Sequence, residues 1–174
     1  MKLIFSRKGF DSSAGGFPSP IIKGKPISLP IPYTNSSVSY QHINLGKIVK
    51  DLTSGKLAER DFCHNDPDLE IGAFGQASSA QSHLNNQNVG SGDLFLFFGW
   101  FREAEVVDLN YRYKRNASDH HRIFGWMFID QKINVGSHTK EFRHKCTKYA
   151  KHPHAMGKWA PNNTIYLASE TFSL

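Results

Sequence analysis

Cysteine is scarce in this chain: Cys63 and Cys146 are the only two in 174 residues. They form no Cys-x-x-Cys pair and no closely spaced framework, which excludes a disulfide scaffold and a zinc finger. Two reduced, partly buried thiols are the expectation. Long apolar runs are also missing, and none approaches the roughly 18 residues that span a bilayer. Leu3-Ile4-Phe5, set between Lys2 and Arg7-Lys8, is too short for a signal peptide. A soluble, cytoplasmic protein follows as the expectation. There are no repeats and no low-complexity tracts. Gly-x-x-x-x-Gly-Lys-Ser/Thr, a dinucleotide fingerprint and a Gly-x-Ser-x-Gly elbow are all absent. Cys63 stands beside His64 in sequence, which is not how a Cys–His dyad is normally built.

Hydrophobic residues make up 39% of the chain and aromatics 13%, with 13 Phe, so global disorder is excluded and aromatic packing should dominate the core. A single domain over 1–174 is long enough to bury about two-thirds of its unfolded surface. The net charge of +6 is unevenly spread. Residues 1–100 carry nine Lys/Arg against eight Asp/Glu, and residues 101–174 carry twelve against seven. Lys140, Arg143, Lys145, Lys148, Lys151 and Lys158 crowd one segment against Glu141, with His144, His152 and His154 among them. Such a field attracts phosphates. An ordinary solvated helix face is the competing reading.

Along the chain, residues 2–6 read as a buried strand that breaks into a polar loop over 7–20. Prolines 26, 30 and 32 predict an extended, largely unpaired stretch over 21–32. Apolar residues at 45, 48, 49 and 52 have helical spacing, ended by Thr53-Ser54-Gly55. Residues 61–75 are irregular. Residues 76–87 predict a short helix with Ala77, Ala80, His83 and Leu84 on its packed side. Leu94–Phe101 is the strongest strand, apolar on both faces as a central strand must be. Residues 102–119 read as a polar connection, with Tyr111–Arg115 a strand edge or a loop. Arg122–Asp130 is a second core strand. Phe98-Gly99-Trp100 and Phe124-Gly125-Trp126 place glycines similarly, where a bulge or close backbone approach is expected. Residues 138–151 are basic and helical, and 163–168 form a last strand. The class is α+β: one curved mixed or mostly antiparallel sheet, barrel-like in the limit, with a few short helices.

Four groupings carry candidate chemistry. In the opening loop Lys8 can neutralise a phosphate, and Asp11 can act as base or bind a ribose hydroxyl. Ser12 and Ser13 can donate to anionic oxygens beside the Gly15-Gly16 backbone. A Gly/Ser turn is the competing reading. His64 and Asp66, two apart on an extended segment, point the same way and can share a substrate proton or a metal. An Asx-Pro turn competes with this. Asp93, at the mouth of the strongest strand, binds ligand or closes a turn. His152-Pro153-His154 offers two imidazoles as phosphate donors or metal ligands. Sequence does not bring these segments together, so no metal is assigned and the cofactor is left open.

The string Ile4-Phe-Ser-Arg-Lys-Gly-Phe-Asp-Ser-Ser-Ala-Gly-Gly16, continued by Pro18-Ser-Pro-Ile21 and Ser28-Leu-Pro-Ile-Pro32, resembles the third type of nucleotide modification associated domain. The similarity runs on through His64-x-Asp66-Pro67-Asp68, Phe74-Gly75-Gln76, His83-Leu84, Gly92–Trp100, His152-Pro-His154 and Asn163-Thr-Ile-Tyr166. The family is linked to systems of phages and bacteria that modify DNA bases. The resemblance implies a site drawn from Lys8, Asp11, His64, Asp66, Gln76, Asp93, His152 and His154. It also extends past Leu174, which implies a compact member or one lacking a C-terminal part.

Two functions compete. One is a nucleotide- or DNA-base-modifying enzyme with Asp11, Asp66 and His64 catalytic. Lys8, Ser12, Ser13, Gly15, Gly16, Gln76, Asp93, His152 and His154 then hold the substrate. The other is a non-catalytic nucleotide-binding module that reads modified bases or sequesters a signalling nucleotide, with Trp100 or Trp126 stacking on a base. Nucleotide or DNA is the partner in both. No membrane partner is expected, and no oligomeric state is assigned.

Overall fold

The computed structural model describes residues 1–173, apart from the side chains of Ser169 and Ser173. Eight strands and three α-helices follow in the order β1 (Leu3–Arg7), β2 (Ser19–Ile22), β3 (Lys25–Pro26), α1 (Gly46–Leu52), β4 (Ala73–Gln76), α2 (Ser78–Asn86), β5 (Leu94–Val107), β6 (Asn110–Tyr113), β7 (His120–Asn134), α3 (Thr139–Lys145) and β8 (Thr164–Ser173). Two 3-10 turns, Thr147–Tyr149 and Pro153–Ala155, join α3 to β8. The strand order is β3-β2-β5-β7-β8-β4, with β1 and β6 also on β5. The pairing β2–β5 is parallel, whereas β2–β3, β5–β6, β4–β8 and β7–β8 are antiparallel. The sheet is therefore mixed and the class α+β, as expected. The order ends at β3 and β4 without a closing pair, so the barrel limit is not reached. Among the described residues no helix is long and apolar enough to cross a membrane.

The chain divides into two compact units, and the long strands β5 and β7 run through both. The unit built from 7–64 and 97–124 has a core of Phe10, Leu29, Tyr40, Ile48, Val49, Leu52, Cys63 and Ala104. Its helix α1 buries Ile48, Val49 and Leu52, the residues whose spacing predicted it. Of the stretch 21–32, expected to be largely unpaired, Ile21-Ile22 and Lys25-Pro26 pair in β2 and β3, and the remainder lies outside the strands. Pro20 gives up its N–H, yet its carbonyl accepts the Ile27 N–H at 2.9 Å. The supposed polar connection is a hairpin, because β5 continues to Val107 and β6 returns along it. Its two-residue turn has Asp108 and Leu109 at φ 49° and 66°, the primed geometry normally signalled by Asn-Gly. Gly99 has its expected close approach: a Cβ there would lie 2.7 Å from the Lys8 carbonyl oxygen.

The unit built from 1–6, 65–96 and 125–173 packs Phe74, Phe95 and Tyr166 ring against ring. Beside them Ala73, Val135, Phe142, Ala155, Ile165 and Leu167 form a second apolar cluster. Helix α2 buries Gln81 and Leu84, following Ala77, while Ala80 and His83 face solvent. The expected face is thus turned, because the Gln81 amide donates to the Tyr166 hydroxyl at 3.0 Å and needs burial to do so. Strand β1 is not the buried strand expected, since Leu3 and Phe5 are both more than half exposed.

Candidate functional site

The β4–β8 ladder sets Gly75 opposite Ile165 and Gln76 opposite Thr164. Asn163 immediately precedes β8, and its carbonyl accepts the Val135 and Gly136 N–H groups at 2.8 and 2.9 Å. The Pro153–Ala155 turn starts at proline, whose fixed φ suits a first helical position. These elements gather Asp66, His152 and His154 in one unit, with all three side chains at 4% exposure or less.

Asp66 Oδ1 accepts the Gly75 N–H at 2.8 Å and stands 3.2 Å from His152 Nε2. Its Oδ2 stands 3.8 Å from His154 Nε2. Gly75 is required by this packing: a Cβ there would lie 2.2 Å from His154 Cδ2 and 2.3 Å from Cγ. That ring also lies on Trp159, stacked at 4.0 Å between centroids and 15° between planes. Trp159 is itself anchored by its indole N–H, which donates to the Met156 carbonyl at 2.6 Å.

The hydrogen bonds assign the ring protons. Asn163 Nδ2 donates to the carbonyls of His154 and Gly136 at 2.8 and 3.2 Å, so its Oδ1 is an acceptor. His154 Nδ1 lies 2.7 Å from that oxygen and must carry a proton. The neutral ring then holds its lone pair at Nε2, facing Asp66. His152 is the opposite tautomer. Its Nδ1 accepts the His154 backbone N–H at 3.3 Å, which leaves the proton on Nε2, toward Asp66. A buried carboxylate therefore sits between an N–H-bearing imidazole and a basic one. Isolated charge is costly at such depth, so these groups must share a proton or a cation.

The opening-loop candidates serve their own loop. Asp11 Oδ1 accepts from the Ser13 hydroxyl, the Ser13 N–H and the Ala14 N–H at 2.7–2.8 Å, closing its own loop. The Ser13 hydroxyl bond holds its carboxyl below the usual range; burial opposes this, and the Ala14 and Ser13 N–H groups and Arg7 reinforce it. Ser12 and Gly16 are exposed, and Gly15 at φ +91° has its Cβ position filled by the Phe10 ring. The Lys8 N–H donates to the Phe98 carbonyl at 2.8 Å. His64 closes the first unit, where its ring meets Tyr33 edge-on at 5.1 Å and its N–H donates to Ile31.

In the second unit, the Gln76 side chain accepts the Ala77 N–H. Asp93 accepts N–H groups from Lys2 and Gly90. Burial raises its pKa, but those N–H groups and the Lys2 ammonium outweigh this and hold it low. In the basic segment Lys145 pairs with Glu141 at 2.7 Å on the exposed face of α3. Trp126 is half-buried and stacks on Phe172. Gly75, Trp159 and Asn163 were not picked out by residue chemistry. Gly75 and Asn163 nonetheless stand inside the quoted strings Phe74-Gly75-Gln76 and Asn163-Thr-Ile-Tyr166.

The fold and site define an α+β protein with a buried carboxylate–imidazole cluster held at the start of its last strand. The chain belongs to the nucleotide modification associated domain 3 family, whose model matches residues 2–173. No curated protein sequence and no solved structure matches it.

Proposed function

We propose that the protein is a nucleotide- or nucleobase-modifying enzyme with its reaction centre at Asp66 and His154. The family's association with nucleotide modification supplies the substrate class. The carrying observation is the His154 tautomer: Asn163 fixes the proton on Nδ1, so a basic nitrogen is kept beside a buried carboxylate. A lone pair aimed in this way is pre-organised for its task, and aligning it costs nothing when substrate arrives. Gly75 gives the ring its close seat on the β4 backbone, and Trp159 stacks on it. The Gly75 N–H donates to Oδ1 of Asp66 at 2.8 Å, and His152 Nε2 stands 3.2 Å from the same oxygen. Asp11, on this reading, builds the opening loop that presents Lys8 and the glycine backbone.

The test is mass spectrometry of nucleosides from DNA and from the free nucleotide pool of cells producing the chain. A new or depleted nucleoside that disappears with Asp66→Asn, at equal protein level, is expected. Unchanged nucleosides, with a nucleotide retained through purification, would instead establish a non-catalytic binding module.

A further inference from the structure

We propose that Asp66 and His154 bind one divalent transition-metal ion through Asp66 Oδ2 and His154 Nε2, whether or not a nucleotide is turned over. With His154 neutral and its proton on Nδ1, both atoms bear lone pairs, and they face each other at 3.8 Å with side chains at 0% and 4% exposure. Two such atoms repel in a medium that screens poorly, and a shared cation removes the repulsion. With ligands about 2.1 Å from the ion, a 3.8 Å separation corresponds to an angle of roughly 130°. Closing to about 3.4 Å makes that angle tetrahedral.

Two surrounding features fit a ligating role. His154 donates its other ring N–H to Asn163 at 2.7 Å, the outer contact by which proteins fix the orientation and basicity of a metal-binding imidazole. His152 is fully buried, and its Nε2 makes no hydrogen bond while standing 3.2 Å from Asp66 Oδ1. A proton-bearing nitrogen so placed orients the carboxylate and leaves Oδ2 for the ion, which makes His152 a positioning residue. One imidazole nitrogen with one carboxylate oxygen suits Zn²⁺, Fe²⁺ or Mn²⁺ better than Cu⁺ or Ca²⁺. The remaining coordination positions are for further donors.

The experiment uses the full chain, stripped of metal by chelation and dialysis, then titrated with Zn²⁺ and Co²⁺. Elemental analysis should give one Zn²⁺ per chain. Co²⁺ should produce a visible ligand-field spectrum and shift the slowly exchanging His154 Nδ1–H in proton NMR. Both readouts need no substitution. Asp66→Asn should weaken binding at least tenfold, and His152→Gln should weaken it about tenfold or more while moving the Co²⁺ absorption. Substoichiometric Zn²⁺, an unshifted ring N–H, or undiminished binding by folded Asp66→Asn would overturn the proposal. So would binding that is lost instead with the exposed pair His120→Ala/His121→Ala. Metal binding without any nucleoside change would support the site and count only against the catalytic reading.

Discussion

Replacing Gly75 by alanine should unseat His154 while leaving every titratable group in place. The added Cβ would lie 2.2 Å from the imidazole Cδ2, so the ring must move. It has no easy direction, because Trp159 stacks on it at 4.0 Å and Asn163 holds Nδ1 at 2.7 Å. Overpacking of a tight core costs about 1–3 kcal/mol. A lost aromatic stack adds about 0.5–1.5 kcal/mol, and a lost hydrogen bond about 0.5–1.5 kcal/mol. Partial relaxation spares some of this, leaving about 2–4 kcal/mol. For a chain of this length that lowers Tm by roughly 5–15 °C. Thermal melting followed by near-ultraviolet circular dichroism, which reports on Trp159, measures both the loss and its location. Gly16→Ala is the control: its φ is +76°, but nothing lies within 4 Å of the new Cβ, so only backbone strain of about 1 kcal/mol applies. A Gly75→Ala protein melting within about 1 °C of the parent, with its tryptophan signal intact, would refute the placement of the ring.

Acid should destabilise the protein through Asp11, Asp51 and Asp93, whose carboxyls are all held below the ordinary value. For Asp51, burial is opposed and outweighed by the Tyr111 N–H and by Lys47 and Lys50. A depressed folded value means the unfolded chain binds protons first as pH falls. The stabilisation is therefore complete above about pH 5 and lost progressively below about pH 4, and an Asp51→Asn/Asp93→Asn protein should show a flatter Tm–pH curve there. Burial pushes the Cys63 thiol up to about 12, so it should resist a thiol reagent at pH 8 until the protein unfolds, while half-exposed Cys146 reacts in the native state. Two fast-reacting thiols would contradict this. Asn163→Ala strands the buried His154 carbonyl and ring N–H and the partly buried Gly136 carbonyl and should cost about 2–4 kcal/mol by denaturant melt.

Sequence carried the long, regular elements well. Helix α1 and the cores of β5, β7 and β8 declared themselves through apolar spacing, because burial alone decides them. Elements that depend on a particular partner were hidden. The Asp108-Leu109 turn places a leucine at positive φ, so no glycine marks the hairpin. The buried face of α2 is set by a polar residue, Gln81, reaching Tyr166. Pro20 sits in a strand because its carbonyl, not its missing N–H, makes the bond. The site divides in the same way. His152-Pro153-His154 and Asp66 stood out by residue type, yet only the β4–β8 register brings Gly75 and Asn163 to them. Neither of those two residues has reactive chemistry, so residue type gave no signal for them.

Nucleoside mass spectrometry on matched Asp66→Asn and Asp11→Asn proteins tests the central claim most directly. Each substitution removes one carboxylate, and the two proteins are compared at equal soluble level. The account predicts that nucleoside modification vanishes with Asp66→Asn and persists with Asp11→Asn, whose carboxylate serves its own loop. Modification that survives Asp66→Asn and is lost with Asp11→Asn would move the reaction centre to the opening loop and contradict the account.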